Sequence, residues 1–483
     1  MKQTNVRSNY LYSLLYRLSI CILPLLITPY TARVLGSEGA GLYAFSSCIA
    51  CYFILFGKLG LDSYGSRSIA CVQEDPDKRS QVFFSIYALQ CITSVLSIAV
   101  YLGVVFLFFR ADLPVYLMQL LYVLSALFDV SWFFYGMEQF RLTTLRSLAT
   151  RVMIVAGVFG FVHGPEDVWL YTLILSGSFL LEQLLLLPML PRYVHPVRVH
   201  WADIRAHLLP NLKLFLPLAV LSIYNWMDKL MVGVISGNEQ VAFYNYADSI
   251  INLPKGIVMA LGTVLLPRVS RMAASAQQDK ASHLLRDSVT FTGFLCCVLC
   301  FGIAAVAPVF IPLFLGPGYE DTVRLTMGMA LVMLPLGLSD TLQNQYLIPF
   351  QRETVYTSAV AAGAAANLLL NSALIPRWGA DGAVVGTIGA AITVFFCQMH
   401  GIRAVFRWRD LLRAVWPFLI CGVLEFAAAY SLCRLALPAW QTLLLQLLTG
   451  GIVYLGSCAA LVLLCRRDLL QLLDFLRQPG ASS

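Results

Sequence analysis

Long apolar runs separated by short polar connections organise the whole chain. About twenty apolar residues let an α-helix cross a ~30 Å hydrocarbon core at 1.5 Å per residue. Fourteen such runs can be read, at 10–32, 40–60, 82–109, 113–136, 142–162, 168–190, 212–235, 241–266, 289–315, 325–349, 354–376, 380–402, 414–435 and 440–464. None of the connections has the length of a soluble domain. The pattern predicts an all-α polytopic membrane protein of about fourteen transmembrane helices.

Composition agrees with that pattern. Hydrophobic residues make up 59% of the chain and charged residues 12%, where a soluble chain carries roughly a quarter charged. Lys2 and Arg7 precede the first run, which continues from Tyr10 to Ala32. It is too long for a signal peptide and has no small-residue cleavage site, so an uncleaved first helix is expected. The 13 cysteines include a C-x-x-C pair, Cys48 and Cys51, and a cluster at Cys296, Cys297 and Cys300. All five lie in apolar runs, where a thiol packs as a small hydrophobe. His195, His200 and His207 share one polar loop at no ligand spacing. No metal or cofactor is expected.

The basic residues orient the spans. With the N-terminus inside and strict alternation, 25 of the 33 Lys and Arg fall on the inside. Outside lie Arg33, Arg110, Arg324, Arg377 and Arg434; within spans lie Arg17, Lys229 and Lys255. A five-to-one bias is the positive-inside signature, and a missed helix would scramble it. The net charge of +7 therefore marks cytoplasmic loops rather than a nucleic-acid face, and both termini are expected in the cytoplasm.

An internal echo divides the spans. Gly36, Glu38, Tyr43 and Arg67 recur 201 positions later as Gly237, Glu239, Tyr244 and Arg268. An offset of six spans gives a parallel repeat about an axis along the membrane normal. The expected organisation is an N-lobe at 1–191 (spans one to six), a cytoplasmic inter-lobe loop at 192–211 and a C-lobe at 212–402 (spans seven to twelve). Two further spans at 403–465 and a cytoplasmic tail at 466–483 complete it.

The sequence holds no Walker A motif, no nucleotide-binding glycine loop and no paired-carboxylate helix motif. Attention falls on ionisable residues at membrane depth, which usually face a bundle interior and carry function. Lys255 leads, in Leu253-Pro254-Lys255-Gly256, where Pro254 removes a backbone bond and Gly256 softens the helix. The competing reading pairs Lys255 with Asp248, seven residues earlier on the same face. Arg17 either reaches the interior or snorkels to the surface. Lys229, beside Asp228, is a third candidate cation. Asp129, Glu182, Asp340 and Glu425 are buried acids open to structural pairing, proton carriage or countering an ion. Small residues in Ala359–Ala366 and Gly379–Ala391 suit close helix packing. Cations converging on one site would imply an anionic headgroup.

Several stretches resemble bacterial polysaccharide flippases of the multidrug/oligosaccharidyl-lipid/polysaccharide exporter superfamily. They are Pro29-Tyr30-Thr31-Ala32-Arg33-Val34-Leu35-Gly36, Gly41-Leu42-Tyr43-Ala44-Phe45, Tyr64-Gly65-Ser66-Arg67, Asp129 through Phe140, Leu216-Pro217, Met227-Asp228-Lys229 and Phe243-Tyr244 through Leu266-Pro267-Arg268. The resemblance runs in order over roughly the first 380 residues. It implies two six-helix lobes with pseudo-twofold symmetry around a central cavity, plus two C-terminal helices. It also implies movement of undecaprenyl-pyrophosphate-linked oligosaccharide across the bacterial plasma membrane by alternating access. Lys255 and Arg17 would hold the pyrophosphate and Lys229 would guide exit. Pro254, Gly256 and Pro217 would serve gating, and Asp248, Asp228, Asp129 and Glu182 ion coupling or counter-charge. H+ or Na+ is the expected choice of coupling ion, and a polysaccharide polymerase with its assembly machinery the expected protein partner. The alternatives are a peptidoglycan-precursor flippase, a drug antiporter of the same superfamily and, last, a membrane polysaccharide polymerase.

Overall fold

A computed structural model describes the backbone of residues 6–274, 278–435 and 437–465. The expected tail at 466–483 and the side chains of Arg17 and Pro217 lie outside the described set. Every one of the fourteen apolar runs is helical, and no strand occurs among the described residues. Eleven helical stretches there are long and apolar enough to cross a membrane. The chain divides into two compact units, Met1–Gly233 and Val234–Ser483.

The first unit opens with α1 (Val6–Lys58), which holds two runs joined at Gly36. There φ is 69° and ψ −179°, a conformation that an L side chain resists. Gly60 (φ 78°) turns the chain into α2 (Leu61–Cys71), which packs on α3 (Pro76–Phe108). Asp75 caps α3 by accepting the backbone N–H groups of Asp77 and Lys78. With the Lys78 ammonium, these hold its carboxyl below the usual range. The run at 113–136 is two helices, α4 (Leu113–Phe128) and α5 (Ser131–Gly136), broken at Asp129-Val130. Then come α6 (Phe140–Phe161), α7 (Val168–Leu184) and α8 (Trp201–Ser236).

One core gathers Leu61, Ile69, Phe83, Ile86 and Trp132 to Phe134. Gly65 is required there, because a Cβ would fall 2.5 Å from the Trp132 ring. The Trp132 indole N–H donates to Gln90 Oε1 at 2.9 Å. The Gln90 amide in turn donates to the carbonyls of Ala126 and Asp129, which the helix break leaves free. The polar connection after α7 is tied down. Arg79 donates to the Tyr193 carbonyl at 2.6 and 3.0 Å, and His195 lies 3.1 Å from Asp77.

The second unit runs through α9 (Asn238–Ala274), α10 (Gln278–Leu315), α11 (Glu320–Ala330) and α12 (Met333–Leu342). A π-helical turn at Gln343–Leu347 follows, then α13 (Glu353–Trp378), α14 (Ala380–Gly401), α15 (Trp408–Ser431) and α16 (Ala439–Cys465). Leu285, Val289, Leu338, Tyr346, Phe395, Met399 and Phe406 form its main core. The small residues of α13 and α14 do bring those helices together. A Cβ on Gly363 would collide with Val394, and one on Gly382 would fall 2.6 Å from the Leu374 carbonyl group. Cys297, Cys421 and Cys458 are buried thiols in an apolar cluster with Phe418 and Tyr454.

The 201-residue echo is also visible in contacts inside each unit. Gly36 and Gly237 both have positive φ, 69° and 89°. In the first unit Gly39 sits against Pro165 and Val168 at the start of α7. In the second, Gln240, 201 positions on, accepts the Ala380 backbone N–H at the start of α14, at 3.2 Å. Tyr43 meets Tyr171 of α7 edge to face, and Tyr244 bonds Thr387 of α14 at 3.1 Å.

Candidate functional site

Among the described residues, three groups of charged side chains stand inside the helical units. In the first unit, Asp228 and Lys229 lie on α8 where it faces α1. Cys48 of α1 bonds the Trp226 carbonyl, and Tyr52 meets the Trp226 ring edge to face. The Lys229 charge reaches the thiols of Cys48 and Cys51, and the buried Asp228 carboxylate reaches Tyr52. Both charges thus act on one segment of α1, from Cys48 to Tyr52.

A second network in the same unit holds two of the predicted acids. Lys58 Nζ lies 2.6 Å from Asp129 Oδ2 and 2.7 Å from Asp62 Oδ2. Asp129 Oδ1 accepts the Ser131 backbone N–H at 2.8 Å and the Ser131 hydroxyl. Arg146 donates to the Glu182 carbonyl at 2.7 Å, to Gln183 Oε1 at 3.0 Å and to Ser131 Oγ at 3.2 Å. Its guanidinium stands 3.6 Å from the Glu182 carboxylate, which also accepts the Ser147 hydroxyl. The network thereby ties α1, α2, α5, α6 and α7 to the break between α4 and α5. Lys58 and Arg146 count toward the inside connections in the sequence, but their side chains are only 17% and 6% exposed. They are buried partners of the acids, at span ends where charge reads as loop.

The third group belongs to the second unit. α9 continues as a helix through Pro254, with Lys255 half-buried and Gly256 exposed. Proline leaves one carbonyl of the preceding turn without its helical donor. The acid whose field Lys255 reaches is Asp340, on α12. Asp248 has interactions of its own. Asp340 is buried and accepts the Asn344 amide at 3.0 Å. Asn344 and the buried Gln345 lie in the π-helical turn, and Gln345 has no hydrogen-bond partner for its amide atoms. π-Turns inside helices often mark functional positions. The visible sequence signal was Asp340 and Asn344 at i, i+4 in an apolar run; Gln345 gave none.

Helices of this number and order form a polytopic all-helical fold. The solved structure of "Lipid II flippase MurJ, inward closed conformation" shares it. The TM-score is 0.75 at 16% identity, covering 95% of this chain and all of that one. Two relatives agree in class. A protein of Escherichia coli (strain K12) named "Putative O-antigen transporter" is 23% identical over 401 residues, covering 81% of this chain and 93% of its own length. "Probable lipid II flippase MurJ" of Rhizobium meliloti (strain 1021) is 30% identical over 198 residues, 38% of this chain and 37% of that protein. Residues 6–273 match the family described as "Polysaccharide biosynthesis protein". The chain belongs to that family.

Proposed function

We propose that the protein is a flippase that carries undecaprenyl-pyrophosphate-linked oligosaccharide across the bacterial plasma membrane by alternating access. The observation that carries this reading is the family match over residues 6–273, together with a relative named for O-antigen transport along 93% of its length. The charge inventory is consistent with it. A pyrophosphate entering a low-dielectric site needs compensating cations with hydrogen-bonding capacity. Lys255 in the second unit and Lys229 in the first are the described cations offered for that role, with Arg17 as a third. Both termini would then lie in the cytoplasm, by the distribution of Lys and Arg.

The test is export of a lipid-linked oligosaccharide by a strain whose own flippase is deleted, comparing wild type with Lys255→Ala after confirming membrane insertion. A loss of tenfold or more is expected; undiminished export removes Lys255 from the mechanism. The second reading, a peptidoglycan-precursor flippase, is favoured by the partial 30% match to a MurJ protein. Reconstituted protein offered both lipids separates the two. Transport of the peptidoglycan precursor alone would replace the first reading with the second.

A further inference from the structure

The buried acid left over by these groups is Glu425, in the C-terminal third of α15. Among the described residues it takes part in no ion pair, and its Oε2 has no hydrogen-bond partner although the residue is only 4% exposed. The other buried acids differ. Asp129 and Glu182 face Lys58 and Arg146, Asp340 has Asn344 and the field of Lys255, and Asp228 has interactions of its own.

The seat of this carboxyl is shaped by three helices. A Cβ on Gly302 of α10 would fall 2.9 Å from Glu425 Oε1, and one on Gly450 of α16 would fall 3.6 Å from it. Gly302 thus leaves room for the oxygen, while a side chain at Gly450 would only touch it. One turn along the same seam lies Gln446 of α16, 1% exposed. Its amide N–H donates to the Ala429 carbonyl at 3.1 Å and to Cys433 Sγ at 3.1 Å, which turns Oε1 away from those partners, and that oxygen is unpartnered too. Two buried acceptor oxygens on neighbouring helices thus lack any donor, and no positive charge is paired with them among the described residues. The titratable groups around them are Cys297 and Cys300 from α10, Cys421 from α15 and Tyr454 and Cys458 from α16, with Cys433 beside Gln446. None supplies a cation.

We propose that Glu425 and Gln446 form a binding site for a small monovalent cation, a proton or a sodium ion, on the seam of α10, α15 and α16. A bare carboxylate there would lack a counter-charge. A proton on Oε2 removes the charge, and sodium compensates it while using the Gln446 oxygen. This site is independent of which lipid the protein carries.

Infrared difference spectra of the full-length protein in lipid nanodiscs, wild type minus Glu425→Gln, test this. A protonated-carboxyl band at neutral pH that the variant lacks identifies the proton. A carboxylate band that moves when sodium replaces choline, in wild type only, identifies sodium. An ionised carboxylate indifferent to sodium overturns the proposal, since water or a rearranged donor would then satisfy it. Should Glu425→Gln fail to insert, Gly302→Ala is read instead. Its methyl presses on Oε1, so the same band must shift, and a band that stays in place again overturns the site.

Discussion

Lys58 Nζ stands 2.6 Å from Asp129 Oδ2, and this pair joins the last turn of the second apolar run to the break between α4 and α5. Asp129 is fully engaged by Lys58 and Ser131, so its role in the first unit is to fix that break. Removing one partner of a buried pair strands the other charge, at a cost of about 3–5 kcal/mol. Lys58→Met and Asp129→Asn are each expected to lower the thermal stability of the detergent-solubilised protein markedly. The double variant should recover much of the loss. Equal melting temperatures for wild type and both single variants would show the pair to be solvated.

Gly36 supports a prediction about the repeat. Its backbone occupies a region open essentially to glycine alone, and no atom lies within 4 Å of an added Cβ. Gly36→Ala therefore tests backbone strain without steric clash, and about 1–3 kcal/mol of destabilisation is expected. Gly237, its counterpart 201 positions on, also has open space and positive φ. Gly237→Ala should be harmful in the same way. Stability measured by thermal unfolding that is unchanged in both variants would mean the chain re-forms these corners without glycine.

The two glycines also show what was legible in the sequence. A bilayer imposes a run length on every helix, so the helices could be read from hydropathy, eleven of them long and apolar enough to cross a membrane among the described residues. Corners that need glycine leave identical residues at a fixed offset. Pairings between distant side chains leave no such trace. Lys58 meets Asp129 across 71 positions and Arg146 meets Glu182 across 36. Each cation sits at a span end, where the charge rule assigns it to a loop. Lys255 shows the same limit: its pull on Asp340 of α12, 85 positions away, leaves no trace in helical spacing. The break inside the run at 113–136 was hidden because α4 and α5 are both apolar.

Asp340 should temper Lys255. If Lys255 holds an anionic headgroup, its nearby acid competes with that ligand, so Asp340→Asn is expected to tighten substrate binding several-fold while Lys255→Met weakens it by tenfold or more, about 1.4 kcal/mol. Lys255→Arg keeps the charge and should retain part of the binding. Affinity for a fluorescent pyrophosphate-linked lipid in nanodiscs measures all three. Weaker binding in Asp340→Asn would make the acid a positioning partner that Lys255 needs, rather than a competitor.

The last prediction concerns pH and the polar segment before α8's apolar run. His207 Nδ1 lies 2.7 Å from the Tyr64 hydroxyl, joining α8 to α2. Burial disfavours the imidazolium and lowers the His207 pKa from its ordinary 6.5, against a smaller opposing pull from Asp203. The unfolded chain therefore binds this proton more readily than the folded one. By linkage, the stabilisation from His207 is present above about pH 6.5 and is lost as pH falls below it. Protonation also removes Nδ1 as an acceptor for the Tyr64 hydroxyl. Melting temperature recorded from pH 7.5 to pH 5 should fall more steeply in wild type than in His207→Gln, which cannot titrate. Tyr64→Phe should lower stability at pH 7.5 and keep the acid limb, because the Tyr64 oxygen can accept from the protonated ring in wild type and the burial that lowers the His207 pKa remains in the variant. Parallel pH profiles for wild type and His207→Gln would place the acid sensitivity elsewhere in the chain.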